Sequence, residues 1–254
     1  MEIIPQVHRI ERVRGANVYL LVDDTLTLID TGLPGNGKRI LAYITRIGRA
    51  PAELNRIIIT HNHIDHAGSV GELSAQTAAK IMLHPADAEI TRNGDVYLSP
   101  NLEGVQGWFL DRLMYFVPLP TVKVDQLLND GEFLPCLGGL RIIHVPGHTP
   151  GSICLFLVEK KVLFTGDVVI NNGSRLSRPL PYPGVSVRQS ENSLRKLIDL
   201  EVDTCCFSHG KPIVGNASPK LHQFITSPPS TPLWWRVTHN IHTLTLFALR
   251  LIWR

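Results

Sequence analysis

The sequence predicts an α/β protein, and three observations carry that reading. Short apolar runs such as Ile57-Ile58-Ile59 alternate with stretches of helical composition such as Val70 to Lys80. Ligand-type residues stand where those runs end, as in His61-Asn62-His63-Ile64-Asp65-His66, Gly147-His148, Gly166-Asp167 and His209-Gly210. Active groups of α/β proteins gather at such strand ends. Finally, 254 residues with 44% hydrophobic content suffice for one sizeable core, or for two half-domains sharing one.

The elements follow in order. Gln6 to Glu11, Ala16 to Val22 and Thr25 to Asp30 read as three strands, with Asp23-Asp24 as a hairpin turn. The turn-rich Leu33-Pro34-Gly35-Asn36-Gly37 leads into a helix over Lys38 to Gly48, striped by Ile40, Leu41, Ile44 and Ile47. Leu54 to Thr60 reads as a buried strand feeding the histidine cluster. A helix over Val70 to Lys80 and a strand Ile81 to His84 come next, with His84 as a satisfied strand-end histidine rather than a ligand. The segment 86–120, rich in aromatic and apolar residues near Trp108 to Val117, is either core packing or a lid over an apolar substrate pocket. Val122 to Leu127, Arg141 to Val145, Ser152 to Val158, Val162 to Thr165 and Asp203 to Phe207 read as strands of a second sheet. Arg188 to Leu200 reads as a surface helix.

Composition narrows the functions. A net charge of +3 with 19% charged residues gives no basic track for nucleic acid. Cys136, Cys154, Cys205 and Cys206 lack metal-ligand spacing and read as buried apolar residues of a reducing compartment. The start, Met1-Glu2-Ile3-Ile4-Pro5, lacks the pattern of a signal peptide, so the cytoplasm is the expected location. After the breaker run Ser227 to Pro232, residues 233–254 read as a basic amphipathic helix. It suits docking on the domain, a dimer contact, or peripheral contact with a membrane surface. The domain itself is expected over residues 1–226.

Three imidazoles and a carboxylate within six residues are costly to bury without a partner. A metal resolves that cost, and imidazole with carboxylate suits zinc, manganese or iron. In an extended loop His61 and His63 point the same way, whereas Asp65 and His66 fall beyond a bend and suit a second ion. Asp30, ending its strand near the cluster, is a candidate carboxylate for steadying a ligand imidazole.

Taken together, these residues resemble the metallo-β-lactamase superfamily. Its His-x-His-x-Asp-His signature stands at His61 to His66, and its later single ligands match His148, Asp167 and His209. The resemblance covers about residues 5 to 226. It implies an αβ/βα sandwich of two mixed sheets, with helices on the outer faces and the site along one edge. It also implies two divalent ions, Zn2+ foremost with Mn2+ or Fe2+ as alternatives. His61, His63 and His148 would hold one, Asp65, His66 and His209 the other, with Asp167 bridging. Such a pair shares a bridging hydroxide that cleaves a small acyl substrate: ester, thioester or lactone. Asp65 and Asp167 are the candidate catalytic carboxylates for proton relay. An iron-dependent oxidoreductase resembling persulfide dioxygenases is the alternative, and β-lactamase or phosphodiesterase activity stands behind it. The stretch after Asp167, Val168-Val169-Ile170-Asn171-Asn172-Gly173, departs from the Gly-Arg-x-Asp pattern of glyoxalase-II-like proteins and lacks the tyrosine of lactonases. Tyr182 is a candidate for that tyrosine's place. Arg175 and Arg178 are candidate grips for a substrate carboxylate or phosphate, or else solvated loop charges.

Overall fold

The computed structural model describes residues 1–92, 94–98, 121–178 and 187–227. In chain order the strands are β1 (Glu2–Ile4), β2 (Val7–Ile10), β3 (Val18–Val22), β4 (Leu26–Ile29), β5 (Leu54–Ile58), β6 (Lys80–Leu83), β7 (Glu89–Ile90), β8 (Val96–Leu98), β9 (Val122–Lys123), β10 (Gln126–Leu127), β11 (Phe133–Leu134), β12 (Leu140–His144), β13 (Ile153–Leu157), β14 (Val162–Phe164), β15 (Ile170–Asn171), β16 (Leu176–Ser177) and β17 (Thr204–Cys206). The α-helices are α1 (Gly37–Arg46), α2 (Ile64–Ala67), α3 (Val70–Ser74), α4 (Val187–Leu194) and α5 (Ser218–Thr226). One mixed sheet runs β1-β2-β3-β4-β5-β6-β10, and a second runs β11-β12-β13-β14-β17.

Strand residues alternate between two buried layers, which makes the strands read as unbroken apolar runs. In β3, Tyr19 and Leu21 face the second sheet, where they meet Leu155, Phe164 and Cys206. Val18 and Leu20 face the other way, toward Ile40 and Ile44 of α1 and Val70 and Leu73 of α3. In β13, Ile153, Leu155 and Leu157 enter the inter-sheet core. Cys154 and Phe156 pack instead against Leu194 of α4 and Leu221 and Phe224 of α5. Helix, sheet, sheet, helix is the resulting order of layers, the αβ/βα sandwich. Leu155 lies fully buried at its centre. Leu155→Ala should cost about 2–5 kcal/mol of unfolding free energy, read as a lower urea midpoint at unchanged slope.

Several elements differ from the sequence reading. The Val122 to Leu127 stretch is split. Its β9 joins a small sheet β7-β8-β9, and β10 pairs in parallel with β6 in the first sheet, not the second. Asp125 causes the break: its backbone N–H bonds Ile81 O at 2.9 Å while its carboxylate accepts from Ile81 N at 2.8 Å. α3 ends at Ser74, short of Lys80, where the Thr77 hydroxyl and N–H both turn back to Leu73 O. The bend expected after His63 is present, as one helical turn over Ile64–Ala67. β1 and α5 were not expected. Pro219 occupies the first turn of α5, where its missing N–H costs nothing. Residues 99–120, which hold most of the candidate lid, and the tail 233–254 lie outside the described residues. Among the described residues no helix is long and apolar enough to cross a membrane.

Candidate metal centre

Each ligand-type side chain sits just past a strand end. His61 follows β5, His148 lies in the loop from β12 to β13, Asp167 follows β14 and His209 follows β17. His63 caps α2, which carries Asp65 and His66 and folds back so that His66 N bonds His63 O at 3.0 Å. The His148 turn is pressed against α4: a Cβ on Gly147 would lie 2.4 Å from Ser190 N, and Gly147 has φ +142°. Only glycine fits there. The His209 loop is tied across the sandwich by Asn17, whose amide donates to Phe207 O at 2.8 Å and Gly210 O at 2.7 Å.

Two triads result. His63 Nδ1 lies 3.1 Å from His61 Nε2 and 3.1 Å from His148 Nε2. In the second, His209 Nε2 is 3.3 Å and His66 Nε2 3.8 Å from Asp65 Oδ2. Asp167 stands between them. Its Oδ1 lies 3.3 Å from His66 Nε2 and 3.4 Å from His209 Nε2, and its Oδ2 lies 3.5 Å from His148 Nε2. Within His61–His63–His148, within Asp65–His66–His209 and within His61–His66–Asp167, the donor atoms all fall within 4.8 Å of one another. His61, His63, His66, His148 and Asp167 are buried, whereas the Asp65 and His209 side chains are 20% and 34% exposed. The centre therefore opens to solvent on the Asp65–His209 side.

The tautomers are set from behind. Asp30 Oδ2 lies 2.9 Å from His66 Nδ1, and the Thr60 hydroxyl donates to Asp30 Oδ2 at 2.9 Å. Thr60 Oγ1 is 3.2 Å from His61 Nδ1, so a hydroxyl that donates to Asp30 accepts from His61. Both rings then keep a proton on Nδ1, which leaves Nε2 as the nitrogen that faces the centre. Asp30 thus occupies the place expected of a carboxylate that steadies a ligand imidazole, held at φ +59°, which Asp tolerates better than most residues.

Electrostatics divide the two groups. Burial, with His66, His63 and His148 adding to it, pushes the His61 imidazole well below its ordinary pKa. Burial with neighbouring His148 and His66 takes His63 down to about 3, and burial lowers His148 as well. These three rings are neutral at pH 7. For His66, burial pulls downward but the carboxylates of Asp167, Asp65 and Asp30 outweigh it and raise it well above its usual value. His209 is likewise raised to about 10, against burial, chiefly by Asp167. Burial would raise both carboxylates, yet His66 foremost holds Asp65 low and, with His209, holds Asp167 well below the ordinary range. Loading the first triad meets neutral imidazoles, while loading the second releases protons.

This donor set fits divalent cations. Three neutral imidazoles cannot satisfy one another with nitrogens 3.1 Å apart, because too few of those nitrogens carry protons. A tetrahedral zinc with Zn–N near 2.05 Å would place its nitrogens about 3.3 Å apart, close to what is seen. His66 Nε2 and Asp167 Oδ1 are also buried, facing each other at 3.3 Å without hydrogen-bond geometry.

The remaining candidates fall elsewhere. Arg178 is not free to grip a substrate. The Nε and Nη2 edge of its guanidinium donates to both carboxylate oxygens of Glu191, Nη2 also donates to Ser227 O at 3.1 Å, and the group lies 4.7 Å over the Phe224 ring. It fastens the β16 end to α4 and α5 instead. Arg175 is exposed near the tip of the β15–β16 hairpin, and Tyr182 lies outside the described residues. His84 is satisfied as expected, with Nδ1 accepting from Ala86 N at 3.2 Å and its ring stacked on His144 at 3.8 Å. Sequence reading missed Thr60, Asn17 and Asp87, all of which hold the ligand loops. A polar residue inside or beside an apolar run was the available signal for the first two.

Comparison with known proteins agrees with this geometry. The family model described as the metallo-beta-lactamase superfamily matches residues 12–209. The acyl-coenzyme A thioesterase MBLAC2 of Gallus gallus is 34% identical over 186 residues, spanning 68% of this chain and 61% of that enzyme. The hydroxyacylglutathione hydrolase GloC of Haemophilus influenzae is 33% identical over 162 residues, spanning 62% of this chain and 68% of that one. Among solved structures, a Cronobacter sakazakii metallo-beta-lactamase with a HARLDQ motif superposes with TM-score 0.63 at 26% identity, over 83% of this chain and 77% of that one. Sandwich, strand-end donors and sequence matches therefore converge, and this chain is a metal-binding hydrolase of the metallo-beta-lactamase superfamily.

Proposed function

We propose that this protein is a dinuclear hydrolase of a small thioester. The observation that carries the reading is Asp167, with one carboxylate oxygen facing each triad. When bound, two divalent cations supply a polarised carbonyl and a water whose pKa falls toward about 7. His61, His63 and His148 would hold one cation, Asp65, His66 and His209 the other, and Asp167 would fix the two groups relative to each other. Zinc suits the donors best, and manganese or iron can enter the same set. Asp65, on the solvent side, is placed to pass a proton to and from water, while enclosed Asp167 is placed to hold geometry.

The attack is left to water. The four cysteines are all buried, and burial raises each thiol above its ordinary value, which removes them as nucleophiles. A thiolate leaving group, whose conjugate thiol has a pKa of about 8.5, can depart without a proton from a neighbouring acid. The names of MBLAC2 and GloC point the same way, since coenzyme A and glutathione are both thiol carriers.

A substrate panel tests this. Chelator-stripped protein, reloaded with zinc, manganese or iron, would be assayed on an acyl-coenzyme A, an acylglutathione, an ester, an acyl-homoserine lactone, a cephalosporin and a phosphodiester. A thioester should lead the rest in kcat/KM by about tenfold, or ~1.4 kcal/mol of transition-state binding. Faster turnover of the cephalosporin or phosphodiester would contradict the proposal.

A further inference from the structure

Asp87 is buried, at 5% exposure, and belongs to neither triad. It closes the single turn Pro85–Asp87 that follows β6. A buried carboxylate needs donors, and this one draws them from both loops that build the first triad. Asn62 N, between His61 and His63, donates to Oδ2 at 3.1 Å. From the His148 loop, the Thr149 hydroxyl donates to the same oxygen at 2.7 Å, and Gly151 N donates to Oδ1 at 2.6 Å. Gly151 has no side chain because Asp87 fills the space: a Cβ there would lie 2.5 Å from Asp87 Cγ. The His148 turn is itself braced, with Ser152 Oγ accepting from Thr149 N at 2.9 Å. Farther back, Ile153 N bonds Thr60 O at 3.0 Å, which joins the strands feeding the loops but not their tips.

We propose that Asp87 is a positioning residue that sets His61 and His63 against His148. It makes the tie between loops whose imidazoles, 85 residues apart in sequence, meet at 3.1 Å. The inference rests on the reading that this triad holds a cation. A carboxylate is required because three donors point at it from two sides. An amide offers one oxygen, so its NH2 would face either Gly151 N–H or the Asn62 and Thr149 donors. Relaxing this clip moves His148 away from His61 and His63 and leaves the Asp65–His66–His209 group in place.

The test titrates chelator-stripped full-length chain with cobalt(II), read by visible absorption, alongside thermal melting of the metal-free protein. Asp87→Asn should weaken one of two binding steps by ~10–100-fold, the usual cost of losing a partner behind the ligands. That step's absorption band should shift, with the other step unchanged. Thr149→Val, which removes one donor and keeps the shape, should weaken the same step by less at an unchanged melting temperature. Wild-type affinity at both steps in Asp87→Asn would overturn the proposal. So would both steps falling together in proportion to a lowered melting temperature in both variants. A wild-type chain that takes up no cobalt would remove the cation reading itself, and this proposal with it.

Discussion

Replacing Asp167 by Asn is expected to cost more than about 100-fold in turnover, since even partners behind a ligand cost ~10–100-fold. The carboxylate is enclosed, with Oδ1 toward His66 and His209 and Oδ2 toward His148. An amide removes the negative charge between two cation sites and aims an NH2 at donors on one side. Elemental analysis should find fewer than two metals per chain in Asp167→Asn. The metal-free fold should persist, because its core is the inter-sheet layer around Tyr19, Leu155 and Phe164. A variant with wild-type metal content and wild-type kcat would refute the bridging role.

The second large effect is expected at Asp30, which touches no substrate. Asp30→Asn keeps an acceptor for Thr60 N–H, which bonds Oδ1 at 2.8 Å, and Asn also tolerates the positive φ. Its NH2 then faces His66 Nδ1, 2.9 Å from the original oxygen. That ring must move its proton to Nε2, which removes the lone pair offered to the second triad. Metal affinity at that triad should fall by ~10–100-fold with little loss of stability. Asp30→Ala should differ by also unfolding more readily, because it strands Thr60 N–H, its hydroxyl and His66 Nδ1, at about 1–3 kcal/mol for each buried group. Equal metal affinity in Asp30→Asn and wild type would refute the tautomer argument.

Much of this site can be read from sequence because ligands must be particular residue types at strand ends. His61 to His66 after Leu54 to Thr60, and single His or Asp residues beside glycine, mark it without any contact information. The αβ/βα layering is legible through the family resemblance those residues carry, while the unbroken apolar runs by themselves mark only buried strands. Contacts between distant segments are not legible. Asp87 in Pro85-Ala86-Asp87 looks like a surface turn, and its donors Asn62, Thr149 and Gly151 come from elsewhere in the chain. Arg178 reads from sequence as a solvated loop charge or a substrate grip, and neither reading shows the Glu191 placed beside it. The Val122 to Leu127 run hides its break because Asp125 is anchored by Ile81 on another strand.

In the proposed arrangement the seven strand-end side chains hold two cations astride Asp167. Anomalous diffraction from crystals of zinc-loaded protein tests it most directly. Two peaks should appear, one among His61, His63 and His148 and one among Asp65, His66 and His209, with Asp167 contacting both. A single peak, or a pair that leaves Asp167 uncoordinated, would contradict it.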